Sequence, residues 1–165
     1  MKILISGTWR KDVAKKYKRT AEELGKALAE NGVEIISGGG LGISKRIVDS
    51  YRKNKGKKST AYYPLRNSMK KVGEIPYLKH DKIIYTNLDY PKRNIKMVKD
   101  CDGLIVLTGG LGTLTEIIHA IKDYNKKVAV LNYDKIAKWC KSTFEIKKRV
   151  LLTKNINQAI NYLKK

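Results

Sequence analysis

Cysteine and histidine are scarce in this chain of 165 residues, which contains two of each. Cys101 and Cys140 lie far apart and lack the paired spacing of a zinc site or a disulfide framework. We interpret both as packing residues, since a free cysteine commonly behaves as a small apolar side chain. His80 and His119 belong to no recognisable set of ligands. The sequence therefore predicts no metal site.

Long apolar runs are also missing. No window approaches the ~18 uncharged apolar residues that a membrane-spanning helix needs. The first residues, M-K-I-L-I-S-G, form an apolar run that is too short for a signal-peptide core. Gly7 ends this run, and Trp9, Arg10 and Lys11 come soon after it. We therefore expect a soluble, cytoplasmic protein that has no membrane partner.

Acidic residues are few: 15 stand against 36 basic residues, which gives a net charge of +21. A positive field of this size favours anionic partners, and phosphates are the obvious candidates. The basic residues are nevertheless scattered, with clusters at residues 15–19, 52–58 and 147–149. This pattern favours a solvated lysine-rich surface over a dedicated nucleic-acid face, and predicts weak, non-specific nucleic-acid binding.

Short apolar runs alternate with helical periodicity along the chain. The runs that predict strands are residues 2–6, 33–37, 60–63, 83–86, 103–108, 127–131 and 150–152. Between them, apolar residues at spacings of three and four predict helices, the first with one face from Ala14 to Leu28. Residues 65–82 show no convincing period and predict an irregular segment over the sheet edge or the site, and residues 133–148 stay unassigned. The alternation predicts a single α/β domain over residues 1–165, a doubly wound, mostly parallel sheet with helices on both faces.

Two glycine clusters each follow a predicted strand and precede a predicted helix. The first is Gly38-Gly39-Gly40, and the second contains Gly109, Gly110 and Gly112. Glycine lets the backbone approach an anion, and a helix N-terminus adds a partial positive charge, so each cluster could bind a phosphate. The alternative is a tight strand-to-helix turn with no ligand. Neither cluster matches the dinucleotide pattern G-x-G-x-x-G or the P-loop pattern.

Thr113 and Glu116 are three residues apart and allow two interpretations. Thr-x-x-Glu is a capping box, in which the two side chains satisfy N–H groups at a helix start. Alternatively, Glu116 lies in the first helical turn beside a phosphate loop, where it could contact a sugar hydroxyl or stabilise a cationic ribose centre. Spacing alone does not separate the two.

Residues 109–116 read G-G-L-G-T-L-T-E, which resembles the G-G-x-G-T-x-x-E signature of the Lonely Guy family of phosphoribohydrolases. The resemblance extends to Gly7 and Thr8 after the first strand, to S-G-G-G at residues 37–40, and to Arg93 in R-N-I-K-M-V at residues 93–98. It covers roughly residues 2–132. Thr108 and Asn94 depart from the family pattern, which usually has proline and lysine there.

The resemblance implies a Rossmann-like fold and hydrolysis of a nucleoside 5′-monophosphate, such as AMP, to free base and ribose 5-phosphate. By that resemblance Arg93 and Glu116 are the catalytic pair, and Gly110, Gly112 and Thr113 hold the phosphate. The other expected substrate-binding residues are Gly7, Thr8, Gly38, Gly39, Gly40 and Gly109. The resemblance implies no cofactor, and it implies a homodimer.

Three functions remain open from the sequence: the hydrolase, a non-catalytic nucleotide sensor with the same pocket, and a nucleic-acid-binding module. Base selection is expected from residues 65–82 or from a neighbouring subunit. Trp9 and Trp139 could each stack on a base, although packing is the commoner use of tryptophan.

Overall fold

The computed structural model describes residues 1–131 and 133–165, and its strands form one sheet in which every pairing is parallel. The order is β4-β3-β2-β1-β5-β6-β7. The strands are β1 Lys2–Ser6, β2 Glu34–Ser37, β3 Ser59–Tyr63, β4 Lys82–Tyr85, β5 Gly103–Val106, β6 Lys127–Leu131 and β7 Val150–Thr153.

Helices connect these strands and cover both faces of the sheet. They are α1 Lys11–Lys15, α2 Lys18–Glu30, α3 Ile43–Lys53, α4 Arg66–Val72, α5 Tyr90–Asp100, α6 Leu111–Lys122, α7 Lys135–Ser142, α8 Phe144–Lys147 and α9 Ile156–Lys164. Helices α2, α3 and α9 pack on one face, and α5, α6 and α7 pack on the other. The predicted doubly wound, Rossmann-like α/β fold is confirmed.

The central strands are buried because apolar side chains project from both of their faces. In β1, Ile3 and Ile5 belong to one core cluster, and Leu4 belongs to the other. Strand β5 pairs with β1 in a register that sets Ser6 opposite Val106. A strand with helices on both sides needs such a continuous apolar run, and this register brings the ends of β1 and β5 to the same edge.

The first predicted helix is two helices. Tyr17 lies between α1 and α2, and its N–H donates to the Ala14 carbonyl at 3.2 Å, which is a tight turn. Ala14 of α1 and Ala21 of α2 are nevertheless buried in the same core cluster. The apolar period therefore continues through the break, which explains why the sequence pattern did not show it.

The prediction of an irregular segment at residues 65–82 is wrong, since α4 lies within it. Among its residues only Met69 is buried, so the helix shows no apolar period. It ends at Gly73, whose φ is +67°. The N–H of Gly73 donates to the Lys70 carbonyl and that of Glu74 to the Met69 carbonyl, at 3.2 and 3.1 Å, which forms a Schellman turn. The unassigned residues 133–148 contain α7 and α8.

Within the described residues, no helix combines the length and the apolar composition that crossing a bilayer requires.

Candidate functional site

A cavity of about 390 Å³ opens at the carboxyl ends of β1, β2 and β5. The chain winds from β1 through β2 to β4 on one side, and then from β5 to β7 on the other. The connection reverses direction between β1 and β5, and such a switch point is where open parallel sheets bind ligands. The volume lies within the range of small-molecule sites.

Most of the predicted site residues lie on the wall of this cavity. They are Gly7, Thr8, Gly38, Gly40, Arg93, Gly110, Gly112, Thr113 and Glu116. Residues from three strand ends and from two helices, α5 and α6, are thus brought together by the fold. Gly39 and Gly109 do not line the cavity.

Gly39 and Gly109 instead allow the two loops to fold closely on their neighbours. Gly39 has a φ of +72°, and a Cβ there would overlap the ring of Tyr63, whose hydroxyl donates to the Gly39 carbonyl at 3.2 Å. A Cβ on Gly109 would overlap the hydroxyl of Thr113. Both glycines therefore shape the site without forming its surface.

Helix α6 begins at the second glycine cluster, with Gly110 as its N-cap in an extended conformation. Thr113 is therefore the third residue of the helix and not its cap, so the capping-box interpretation is wrong. The side chain of Glu116 accepts a hydrogen bond from Ser6 Oγ, a residue at the end of β1. The carboxyl is thus directed at the strand ends.

Glu116 is a buried carboxyl at the base of the cavity, with 7% of its surface exposed. Ser6 Oγ also lies 3.4 Å from Thr113 Oγ1, which links the carboxyl to the glycine loop. Burial raises the pKa of Glu116 above its ordinary value, and the hydrogen bond from Ser6 and the charge of Arg93 oppose that rise.

Arg93 lies in the first turn of α5, where Asp89 caps the helix by accepting from the Lys92 N–H at 3.0 Å. Its side chain is buried, with 5% exposed. The guanidinium lies 5.2 Å from the ring centroid of Tyr90 and donates from Nη1 to Met97 Sδ at 3.5 Å. Among the described residues its buried Nε has no hydrogen-bond partner. Buried donors are usually satisfied, so a ligand acceptor would complete the site.

Asn94 follows Arg93 on α5 and also lines the cavity. Its Oδ1 is buried without a partner in the described part of the chain. Its amide lies across from Gly112, where a Cβ would be 3.6 Å from Nδ2. Asn94, one of the two residues that depart from the family pattern, therefore lies beside the glycine loop.

The sequence did not predict Ser6, Glu74 and Tyr90 as site residues, although all three line the cavity. Glu74 is buried, and its Oε2 accepts a hydrogen bond from the Tyr90 hydroxyl. Burial raises the pKa of Glu74, while the Tyr90 hydrogen bond and the charge of Arg93 lower it. The Schellman turn after α4 places this carboxyl at the cavity. Gly73 is the one residue in the local sequence that indicates this turn.

The two tryptophans differ in position. Trp9 lines the cavity with 43% of its surface exposed. Trp139 packs against the core on the face covered by α5, α6 and α7. Of the two, Trp9 is placed to meet a bound ligand.

The chain is similar to a probable cytokinin riboside 5′-monophosphate phosphoribohydrolase of Oryza sativa subsp. japonica, with 30% identity over 128 residues. The match covers 72% of this chain and 52% of that relative, so the chain spans about half of the relative's length.

Solved structures share the fold. A molybdenum cofactor carrier protein from Chlamydomonas reinhardtii superposes with a TM-score of 0.79 at 23% identity, covering 99% of this chain and 95% of that one. DNA processing protein A from Helicobacter pylori, described with a single-stranded DNA binding mode, gives 0.66 at 22% identity over 99% and 80%. These similarities show the architecture alone.

The family comparison covers nearly the whole chain, since the SLOG cluster4 family matches residues 1–160. Together with the similarity to the probable rice phosphoribohydrolase, it confirms the resemblance to the Lonely Guy proteins that residues 109–116 indicate. The chain belongs to the SLOG cluster4 family.

Proposed function

We propose that this protein is a phosphoribohydrolase that cleaves the N-glycosidic bond of a nucleoside 5′-monophosphate to give free base and ribose 5-phosphate. The observation that carries the proposal is the position of Glu116 and Arg93 on one cavity wall, beside the N-terminus of α6. The similarity to the rice relative, a probable cytokinin riboside 5′-monophosphate phosphoribohydrolase, supports it.

The substrate phosphate binds at the start of α6. The first helical N–H groups have no partner within a helix, and the helix dipole attracts negative charge. Gly110, Gly112 and Thr113 present this end of the helix to the cavity. With the phosphate here, the ribose lies over Ser6 and Glu116, because the Ser6 hydroxyl is in reach of both Thr113 and Glu116.

Glu116 and Arg93 act at the ribose. As the bond between C1′ and the base nitrogen breaks, its electron pair leaves with the base and positive charge develops on the sugar. The Glu116 carboxylate stabilises that charge, and it positions the water whose oxygen bonds to C1′. The water loses one proton in this step and the departing base gains one, so the products are neutral base and ribose 5-phosphate. Arg93 supplies donors to the sugar phosphate, and its Nε then gains an acceptor. No cofactor takes part in this hydrolysis.

A non-catalytic nucleotide sensor is the second candidate function. The observation in its favour is the burial of Glu116, because burial raises the pKa of this carboxyl and so disfavours the charged form that the hydrolysis needs. A sensor would bind the same nucleotide and release no base.

The deciding experiment incubates the protein with AMP and measures free adenine, with calorimetry for AMP binding. Wild type should release adenine, and both Glu116→Gln and Arg93→Ala should lose about 100-fold or more in turnover, about 3 kcal/mol on the barrier. Glu30→Gln is the matched control, since Glu30 is an exposed carboxyl at the end of α2 and does not line the cavity. AMP binding without adenine release by wild type would replace the hydrolase with the sensor.

The family resemblance also leads us to propose a homodimer. Sedimentation equilibrium should give twice the mass of one chain, and a monomer at working concentration would contradict this.

A further inference from the structure

A second carboxyl, that of Glu74, faces the same cavity from the side opposite the glycine loop of α6. Gly40, which follows β2, stands next to it: a Cβ on Gly40 would lie 2.6 Å from Glu74 Oε1 and 2.9 Å from Trp9 Cβ. Gly110 follows β5 instead, and β1 separates β2 from β5 in the sheet. The cavity therefore has a glycine-loop end on the β5 side and a Glu74 end on the β2 side.

Arg93 lies between these two ends. Its guanidinium packs against Gly38 on the β2 side, and its charge acts on both carboxyls, Glu116 and Glu74. A nucleotide with its phosphate on α6 and its ribose at Glu116 must place its base at the remaining end. That end is formed by Glu74, Tyr90, Trp9 and Gly40.

The two oxygens of Glu74 have different surroundings. Oε2 accepts the hydrogen bond from the Tyr90 hydroxyl. Oε1 faces Gly40, and the hydrogen bonds of the described residues include none to this atom. Because Tyr90 occupies Oε2, Oε1 is the oxygen that would carry the proton whenever this carboxyl is neutral.

Building on the proposed hydrolase function, we propose that Glu74 is the general acid that protonates the departing base. In this step the bond between C1′ and the base nitrogen breaks, and its electron pair moves into the base. The proton on Glu74 Oε1 passes to a ring nitrogen of the base, which leaves neutral. Water bonds to C1′ and loses one proton to solvent, and Glu74 takes one proton back from solvent.

The environment of Glu74 suits an acid that is protonated when substrate binds. Burial raises its pKa, against the opposing effects of Tyr90 and Arg93. Glu116 and Glu74 then divide the work as two carboxyls commonly do in glycoside hydrolysis, one stabilising the cationic sugar and one protonating the leaving group.

The test compares two substrates that differ in their leaving group. AMP needs a proton on its departing base, whereas p-nitrophenyl ribose 5-phosphate releases a stable anion that needs none. Glu74→Gln keeps the size of the side chain and an acceptor for Tyr90 but has no acidic proton. It should lower AMP turnover by about 100-fold or more and p-nitrophenol release by less than about 5-fold.

Glu116→Gln is the matched control, because stabilisation of the sugar is needed for both substrates and both rates should fall together. If Glu74→Gln does not give a cooperative melt, Glu74→Asp replaces it, because aspartate withdraws the acid by one methylene. We again expect a larger loss of rate on AMP than on p-nitrophenyl ribose 5-phosphate.

Equal losses on both substrates, or no loss on AMP, would overturn the general-acid role while the hydrolase function stands. If wild type releases neither adenine nor p-nitrophenol, the hydrolase function is overturned, and the acid role with it.

Discussion

The guanidinium of Arg93 occupies the space that a side chain at Gly38 would need, since a Cβ built on Gly38 would overlap Nη1. Arg93 is buried, and Met97 and Tyr90 hold its position. Glycine at residue 38 is therefore required by the arginine, in addition to any role in approaching a ligand.

Gly38→Ala should displace Arg93 and lower both stability and turnover. Overpacking of this kind costs about 1–3 kcal/mol, and kcat/KM for AMP should fall by at least about 10-fold. Chemical denaturation of the single variants and of Gly38→Ala with Arg93→Ala forms a double-mutant cycle. In the Arg93→Ala background, which lacks the guanidinium, Gly38→Ala should lower the free energy of unfolding only slightly. An equal cost in both backgrounds would contradict the steric explanation.

The fold was predictable because its strands are continuous apolar runs. Residues 127–131 were predicted as a strand, and β6 has those bounds. Helix α4 was missed since it buries Met69 alone, so its seven residues show no period. The break between α1 and α2 was missed because both helices pack on the same core.

The site was predictable only in part. The glycine loop, Arg93 and Glu116 carry a family pattern, but that pattern does not separate the catalytic from the capping interpretation of Glu116. The capping interpretation is excluded by the start of α6 at Gly110, and the direction of the carboxyl is shown by its contact with Ser6, 110 positions away along the chain. Glu74 reaches the cavity through the turn at Gly73 and meets Gly40 and Tyr90 only in the folded chain.

Glu116→Gln should stabilise the folded protein at neutral pH. Burial raises the pKa of this carboxyl, so the folded protein favours its protonated form. The stability that follows is fully present below the unfolded pKa of about 4.3, and it is lost as the pH rises through the native pKa because the buried carboxyl must then ionise. Glutamine keeps the shape of the Glu116 side chain and cannot ionise, so it avoids the loss of stability. The melting temperature should exceed that of wild type by about 2–4 °C per kcal/mol regained.

The measurement is a series of thermal melts over about four pH units, from near the ordinary carboxyl pKa to about pH 8. The difference between Glu116→Gln and wild type should vanish at the acid end and grow toward neutrality, while Glu30→Gln should show no such trend. A variant that becomes less stable than wild type as the pH rises to neutrality would show that the folded protein lowers the pKa of Glu116 and does not raise it.

Inorganic phosphate should bind at the start of α6 and not at the start of α3. The first N–H of α3, on Ile43, already donates to the Thr8 carbonyl at 2.9 Å. In the described part of the chain, the N–H groups of Gly112 and Thr113 donate to no backbone carbonyl. Helix N-termini with free N–H groups bind anions.

Amide NMR during a phosphate titration checks this at constant ionic strength. The signals of Gly112 and Thr113 should shift and saturate, and that of Ile43 should not. Gly109→Ala should weaken binding by about 10-fold or more, about 1.4 kcal/mol, since its Cβ would overlap the Thr113 hydroxyl that shapes this loop. Saturation at Ile43 alone would place the anion site at the first glycine cluster.

Duplex DNA should bind weakly, in the range of about 1–100 μM at physiological salt and without sequence preference. The net charge is +21, but surface acids interrupt the basic residues: Arg19 pairs with Glu23 at 2.8 Å, and Lys45 with Asp49 at 2.5 Å. Fluorescence anisotropy with two unrelated duplexes should give equal affinities that fall steeply with salt. Nanomolar binding that survives physiological salt would favour a nucleic-acid-binding module.

Binding of AMP should quench the fluorescence of Trp9 and leave that of Trp139 unchanged. Trp9 is 43% exposed on the cavity wall next to Gly40, at the end where the base is expected, whereas Trp139 packs on the core. An aromatic ring that stacks on a base contributes about 1–3 kcal/mol. Trp9→Ala should therefore weaken AMP affinity by about 5-fold to 150-fold, and Trp9→Phe should keep most of the affinity because it retains a ring.

The two single-tryptophan variants make the assignment direct. Trp139→Phe leaves Trp9 as the fluorophore and should keep the quench, while Trp9→Phe leaves Trp139 and should abolish it although AMP still binds by calorimetry. The two variants are matched in chemistry, so any difference between them follows from position. If Trp9→Phe keeps the full quench, or if Trp9→Ala binds AMP as tightly as wild type, the base does not lie at the Trp9 end, and the orientation of the nucleotide in the cavity must be reversed.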